Sequence, residues 1–280
     1  MKSKASGTRR PVAEVVAKCR VASGERVHLN DADASRSFGW SEGAALQATA
    51  VLRQHLGELQ YKLMIDARHA LLLVLQAIDG GGKDSTVHHV CGAFNPQSCT
   101  VTAFKAPTRD ELAHDFLWRV HAHTPARGDI AVFNRSHYED VLVVRVDKLV
   151  KRKEWQARYQ LINDFERLLA AAGTSVVKIF LHISSAEQKR RFEERLADPD
   201  KQWKFDPQDL GKRAQWDEYR AAFEDMLHHC STRLAPWYVI PADHKWLRNL
   251  VVSQILVDTL QGMELRDPQP DYDPGKITVR

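Results

Sequence analysis

The chain has 280 residues, with 40 Lys and Arg against 36 Asp and Glu for a formal charge of +4. A composition 44% hydrophobic and 27% charged supplies ample core material and excludes a disordered chain, while so small a charge imbalance does not by itself establish a polyanionic partner. The longest apolar stretch, Ala70 to Ile78, is far too short to span a bilayer. Cys19, Cys91, Cys99 and Cys230 show neither C-x-x-C spacing nor the density of a disulfide scaffold, so the chain reads as a reduced, cytoplasmic protein.

Residues 1–26 are expected to form a disordered or extended tail. Met1 to Arg10 is basic, and no apolar h-region follows to make it a secretory signal. Residues 27–265 read as one domain without repeats or a linker, and residues 266–280, rich in Pro and Asp, as a second poorly ordered tail. From Ser41 to Ala67 apolar residues recur at helical spacing (Leu46, Leu52, Leu56, Leu59, Leu63). Ala70 to Ala77 is apolar without alternation, which suits a central parallel strand buried on both faces. Further strands are expected at Cys99 to Lys105, Ile130 to Asn134, Ser175 to Ile183 and Trp237 to Ile240. Helices are expected at Ser85 to Ala93, Arg109 to His123, Glu154 to Ala172, Ala186 to Leu196 and Lys245 to Leu260. Such alternation predicts an α/β fold, a doubly wound parallel sheet flanked by helices. Asp206 to Ser231 breaks the pattern: helical, polar and basic, it reads as an insertion lying over the sheet.

Chemistry concentrates where the first strand ends. Ala77-Ile-Asp79-Gly80-Gly81-Gly82-Lys83-Asp84-Ser85-Thr86 is a strand, glycine loop and helix start, the context a phosphate-binding loop requires. Glycines let backbone N–H groups curl around phosphate oxygens, the helix N-terminus adds partial positive charge, and Lys83 adds a full one. The match to G-x-x-x-x-G-K-[ST] is imperfect, since Ala77 replaces the first glycine and Asp84 follows the lysine. Asp79 is out of place beside phosphate unless it holds Mg²⁺; turn chemistry is the alternative.

The strand Ile130 to Asn134 runs into Arg135-Ser136-His137-Tyr138-Glu139-Asp140, and its carboxyl end should lie beside the loop. Arg135 there suits clamping of a transferring phosphoryl group. Glu139 and Asp140 either hold a metal or begin a helix, where acids favour the dipole. His88, His89, His121 and His123 lack a third ligand at metal spacing and read as structural. Lys189, Arg190, Arg191, Arg195, Lys201, Lys204, Lys212 and Arg213 form a basic run. Most of them read as a solvated face, with an anion held between Arg191 and Arg195 as the sharper alternative. Trp203, Phe205, Trp216 and Tyr219 read as packing residues.

These residues together resemble a known family, the type-2 polyphosphate kinases. The resemblance rests on Gln76-Ala-Ile-Asp-Gly-Gly-Gly-Lys-Asp84, Phe133-Asn-Arg-Ser-His-Tyr-Glu139, Lys204-Phe-Asp-Pro-Gln-Asp-Leu210, Trp216-Asp-Glu-Tyr219 and Ala235-Pro-Trp-Tyr-Val-Ile-Pro-Ala-Asp-His-Lys-Trp246, in one order from about Val27 to Leu260. It implies a thymidylate-kinase-like P-loop fold with a mobile helical lid, placed here at residues 186–231. It also implies transfer of phosphate between inorganic polyphosphate and a nucleotide, dependent on Mg²⁺ with Mn²⁺ as a possible substitute. By motif match Asp79 resembles the family's metal-linked acid, Lys83 its loop lysine and Arg135 its phosphate-clamping arginine. Gly80, Gly81, Gly82, Asp84 and Ser85 complete the phosphate loop, Arg191 and Arg195 match the lid arginines, and Asn134, Ser136 and Glu139 fall in the second motif. Asn-Arg-Ser-His-Tyr-Glu resembles the subgroup that phosphorylates both nucleoside mono- and diphosphates, whereas single-acceptor members more often carry Asp-Arg-Ser-Trp-Tyr-Asn. Gly80 and Gly81 stand where relatives often have alanines, a mild departure expected not to affect chemistry.

The expected partners are polyphosphate and nucleotides, with neither nucleic acid nor membrane, in a homo-oligomer. Two alternatives stay open: an ATP-dependent nucleoside monophosphate kinase on the same fold, and a non-catalytic nucleotide-binding switch.

Overall fold

The computed structural model describes residues 9–267 and 272–278. Strand β1 (Ala70–Ala77) is buried along its whole length. With β2 (Cys99–Ala103), β3 (Ile130–Asn134), β4 (Thr174–His182) and β5 (Trp237–Pro241) it forms a five-stranded sheet in the order β2-β3-β1-β4-β5. Every pair of neighbouring strands is parallel. The expected α/β architecture is therefore present, with β1 at the centre.

Helices cover both faces. In chain order they are α1 (Val12–Cys19), α2 (Asp31–Ala34), α3 (Glu42–Asp66), α4 (Lys83–Cys91), α5 (Trp118–His121) and α6 (Val143–Val146). These are followed by α7 (Arg152–Ala171), α8 (Ser185–Ala197), α9 (Gln208–Ala214), α10 (Trp216–Cys230) and α11 (Lys245–Gln261). Alternate residues of β1 serve opposite cores, as a strand's two-residue period dictates. Leu72 and Val74 pack with Ile162 and Phe165 of α7 and with Phe223 and Met226 of α10. Leu71, Leu73 and Leu75 pack with Leu56 and Leu63 of α3 and with Val251 and Ile255 of α11. Each leucine so enclosed contributes roughly 1.5–3 kcal/mol relative to exposure. Two cores meeting on one strand fix its register, and so fix where its carboxyl end emerges.

Three expectations need correction. Residues 1–8 lie outside the described residues, but the segment up to residue 26 is no tail: Val12, Val15, Val16 and Cys19 recur at helical spacing, and Val15 and Cys19 of α1 are buried. The helix expected at Arg109 to His123 is replaced by a single 3₁₀ turn, Glu111–Ala113, and the one-turn α5. Thr108 Oγ1 accepts from Glu111 N at 3.2 Å and Asp115 Oδ1 from Leu117 N at 3.0 Å, so local side-chain caps restart the chain in place of a continuous helix. Asp206 to Ser231 is not a single overlying insertion. Helix α9 buries nothing, whereas α10 buries Tyr219, Ala222, Phe223, Met226, Leu227 and Cys230 in the core. Only the excursion of residues 198–215 lies outside the core layers, and Trp203 within it is 77% exposed rather than packed. Among the described residues no helix is long and apolar enough to cross a membrane.

Candidate active site

The loop between β1 and α4 is shaped by its glycines. Gly80 (φ +80°) and Gly82 (φ +96°) occupy the left-handed region that disfavours side chains. A Cβ on Gly81 would stand 2.5 Å from Ala77 Cβ and 2.8 Å from Ile78 O, so this loop geometry does not accept the alanines that the resemblance treats as interchangeable. Lys83 begins α4, and its buried ammonium turns back to donate to Ala77 O at 2.9 Å. Lysine and loop thus face the helix N-terminus together, as an anion site needs.

Strand β3 delivers the second segment beside it. Arg135, one residue beyond the strand, is held at φ +63° with its N–H donating to Leu75 O at 3.1 Å. A non-glycine residue costs about 1–3 kcal/mol in that region, and such strain clusters at functional sites. The result is that Arg135 Nη2 donates to Asp79 Oδ1 at 2.6 Å, with Glu139 Oε2 3.8 Å from Nη1. Asn134 Nδ2 donates to Asp84 Oδ1 at 2.6 Å. Ser136 points inward instead: its hydroxyl accepts from Gln76 Nε2 at 3.1 Å and from Tyr138 N at 3.2 Å. Asp140 pairs with Arg158 at 2.8 Å and lies away from Asp79's partners.

The third wall comes from α8, α9 and α11. Gln188 Nε2 donates to Asp79 O at 2.7 Å, and Arg191 Nη1 to Gly80 O at 2.9 Å. Arg191 is buried, donates also to Ala242 O at 2.6 Å, and pairs with Glu187 at 2.7 Å, so it braces the loop from behind. Arg195 Nη1 donates to Lys204 O at 3.4 Å. Lys212 of α9 reaches Asp79 Oδ2 at 3.2 Å. Arg248 of α11 donates to Ser85 Oγ at 3.0 Å while buried beneath the loop.

The electrostatics follow from this crowding. Burial opposes ionisation of Asp79, but the charges of Lys83, Arg135 and Lys212 outweigh it and hold the carboxyl below the usual aspartate value. Burial depresses Lys83, with Asp79 pulling the other way. Burial, and after it the charge of Arg191, lowers Arg248 to about 10. The site is a carboxylate ringed by cations.

A divalent cation fits this chemistry only together with substrate phosphates, because both Asp79 oxygens are paired with cations, Arg135 and Lys212. Among the described residues no group of three His, Cys, Asp or Glu is placed to cage a metal. Mg²⁺, however, is held by one or two carboxylates plus substrate phosphates, not by an all-protein cage. Asp79 is the acid at the loop, with the Asp84–Asn134 pair at the same end of the sheet.

Sequence reasoning placed Asp79, Lys83, Arg135, Glu139 and the loop glycines together, and the structure brings them together. It missed Gln188 and Arg248, and it assigned Lys212 to a solvated face. A signal existed for Arg248, an arginine set between Leu247 and Leu250 on the apolar face of a helix. Nothing local distinguishes Lys212 from its basic neighbours.

Comparison with known proteins supplies the family. The family model for polyphosphate kinase 2 (PPK2) matches residues 40–268. An AMP/ADP-polyphosphate phosphotransferase of Meiothermus ruber is 49% identical over 249 residues, covering 89% of this chain and 93% of that protein. An ADP-polyphosphate phosphotransferase of Rhodopseudomonas palustris is 43% identical, over 77% of this chain and 79% of that one. The crystal structure of polyphosphate kinase 2 from Arthrobacter aurescens TC1 superposes with a TM-score of 0.89 at 41% identity, covering 98% of this chain and 97% of that one. The family-model match, with relatives and a solved structure covering most of the chain, makes this protein a phosphotransferase enzyme of the polyphosphate kinase 2 family.

Proposed function

We propose that the protein transfers phosphate from inorganic polyphosphate to nucleoside mono- and diphosphates, AMP to ADP and ADP to ATP. The observation that carries this reading is the convergence of Lys83, Arg135 and Lys212 on Asp79 at the carboxyl end of β1. In the transfer an acceptor phosphate oxygen bonds to the terminal phosphorus of the polymer, and the bridging P–O bond breaks. The shortened chain leaves with that bond's electron pair. Such chemistry needs positioning and charge neutralisation, with little covalent help from protein.

The position of each side chain supports a role for it. The amides of Gly80 and Gly82, the start of α4 at Lys83, Asp84 and Ser85, and the Lys83 ammonium hold phosphate oxygens, while the Gly81 amide, expected among them, closes the turn by donating to Ile78 O at 2.9 Å. Arg135 neutralises charge on the transferred group, and Glu139 keeps the guanidinium aimed. Asn134 and Ser136 hold the second motif against the loop. Asp79 anchors Mg²⁺ or Mn²⁺, both of which accept hard oxygen donors. When bound, the cation screens charge between the phosphates. Arg195, with the exposed Lys201 and Lys204, offers the polymer a basic track, while Arg191 supports the loop. The four free cysteines favour a cytoplasmic setting. Exposed Leu161 and Leu168, seven residues apart on α7, favour a homo-oligomer.

The test is direct. Purified protein, Mg²⁺, polyphosphate and ADP should yield ATP with no ATP supplied, and AMP should be carried through ADP to ATP. Conversion of ADP alone overturns the dual-acceptor reading. Product only from ATP plus a monophosphate hands the site to an ordinary nucleotide kinase, and binding without turnover of any donor to a nucleotide switch.

A further inference from the structure

Beneath the second motif lies an ionic cluster with no direct part in the transfer. Lys178, in the middle of β4, is fully buried, and its ammonium donates to Glu166 Oε2 at 2.5 Å, Cys230 O at 2.6 Å and the Tyr138 hydroxyl at 2.8 Å. The Tyr138 hydroxyl donates in turn to Glu166 Oε1 at 2.7 Å, and His137 Nε2 stands 3.3 Å from the same oxygen. The Tyr138 ring packs edge-on to Trp237 at 4.8 Å. Replacing such a pair by apolar side chains of similar volume is often neutral or stabilising, so burial alone gives no stability reason for it.

Its partners supply another reason, because each belongs to an element that serves the site. Tyr138 is three residues past Arg135. Cys230 ends α10, the helix that follows α9 and its Lys212. Arg135 and Lys212 grip opposite oxygens of Asp79, at 2.6 Å and 3.2 Å. The cluster therefore ties the turn behind one arm to the helix behind the other, and anchors both to the central sheet through β4 and to α7 through Glu166.

We propose that the buried Lys178–Glu166 pair, joined through the Tyr138 hydroxyl, is a positioning device that sets the Arg135 turn and the root of the lid in fixed relation to Asp79. This inference rests on the phosphoryl-clamp role of Arg135. Three donors at fixed angles define a geometry that a greasy contact does not, and charge-assisted hydrogen bonds are the strong ones. All of the cluster's side chains are buried away from the loop surface, so its effect passes through Arg135.

The experiment is a double-mutant cycle on the full chain. Tyr138→Phe removes one hydroxyl and keeps the ring against Trp237; Lys178→Met with Glu166→Leu replaces the pair with apolar bulk. Each is made alone and combined with Arg135→Lys, and assayed with polyphosphate and ADP well below the melting temperature, so that only folded protein is compared. The expected result is a kcat lowered roughly ten- to a hundredfold with KM values within about threefold of the parent, as for a misplaced catalytic group. In the Arg135→Lys background the same changes should cost less than about twofold, because the group they aim is already lost. A structural role would lower stability and leave the cost equal in both backgrounds, which overturns the proposal. Should the Lys178→Met, Glu166→Leu protein fail to fold, Tyr138→Phe decides by the same criteria. A slow Arg135→Lys beside a normal Tyr138→Phe overturns this inference alone. A normal Arg135→Lys overturns the clamp role and this inference with it.

Discussion

Arg135 and Asp79 are joined by a 2.6 Å hydrogen bond between residues 56 apart in sequence. The bond spans the carboxyl ends of adjacent strands β1 and β3, where open α/β sheets place their ligands. Arg135 reaches it only from a left-handed backbone, so the strain at that residue and the pairing at Asp79 belong together.

Removing the Asp79 charge should therefore stop chemistry and spare the fold. Asp79→Asn is expected to lower kcat by about 10²–10³-fold, the loss typical of one electrostatic catalytic contact. Lys83→Ala should cost at least as much. Steady-state kinetics across a Mg²⁺ titration check this; normal turnover with normal metal dependence would leave Asp79 a turn residue.

Asp79 also sets an acid limit. Its folded carboxyl lies below the ordinary aspartate value, so ionisation stabilises the fold above about pH 4, the ordinary value. That contribution is lost as pH falls through the depressed folded value. Melting temperature should thus fall more steeply below about pH 4 in the parent than in Asp79→Asn, with the gap between the two curves constant above pH 4 and closing as pH falls below it. Parallel curves would mean that the surrounding cations do not act on Asp79.

Arg191 and Arg195 should behave as opposites. Arg191 is buried against Glu187 and two carbonyls; in Arg191→Ala the carboxylate keeps Arg190, but Gly80 O and Ala242 O lose their buried donor, at a cost of about 1–3 kcal/mol. Arg195→Ala should leave melting unchanged but raise KM for polyphosphate and flatten its dependence on log salt, by analogy with counterion release from nucleic acids. Calorimetry and KM at several ionic strengths separate the two. Equal salt slopes in parent and Arg195→Ala would remove Arg195 from the polymer track.

Gly82 does not accept a side chain. At φ +96° a side chain is strained, and a Cβ there would also meet the Arg248 guanidinium. Gly82→Ala is expected to lower kcat/KM by about 10²-fold through a shifted loop, and phosphate-analogue binding by calorimetry should weaken with it. A variant with parent affinity would show that the loop relaxes freely.

The parallel sheet was legible because its strands are apolar runs buried on both faces, a pattern that Leu71 to Leu75 displays without ambiguity. The loop was legible because glycines between strand and helix have few other uses. Arg191 was misjudged for a physical reason: a charge run looks the same whether it faces water or passes beneath a loop. Burial decides, and burial depends on Glu187, Gly80 and Ala242, which the sequence scatters over 163 positions. The Thr108 and Asp115 caps likewise defeat a helical pattern that composition alone supports.

The segment around Arg20 bears on how the protein stays in solution. Arg20 bridges Tyr238 in antiparallel fashion, and Val21 N donates to Trp237 O at 2.9 Å, so the outer rim of β5 is already paired. A bare rim of apolar Trp237-Tyr-Val-Ile240 is a template for another chain's strand. The first residues of the fold thus guard this one strand edge against pairing with another chain, and a version beginning after Ala22 should precipitate at concentrations where the full chain stays clear.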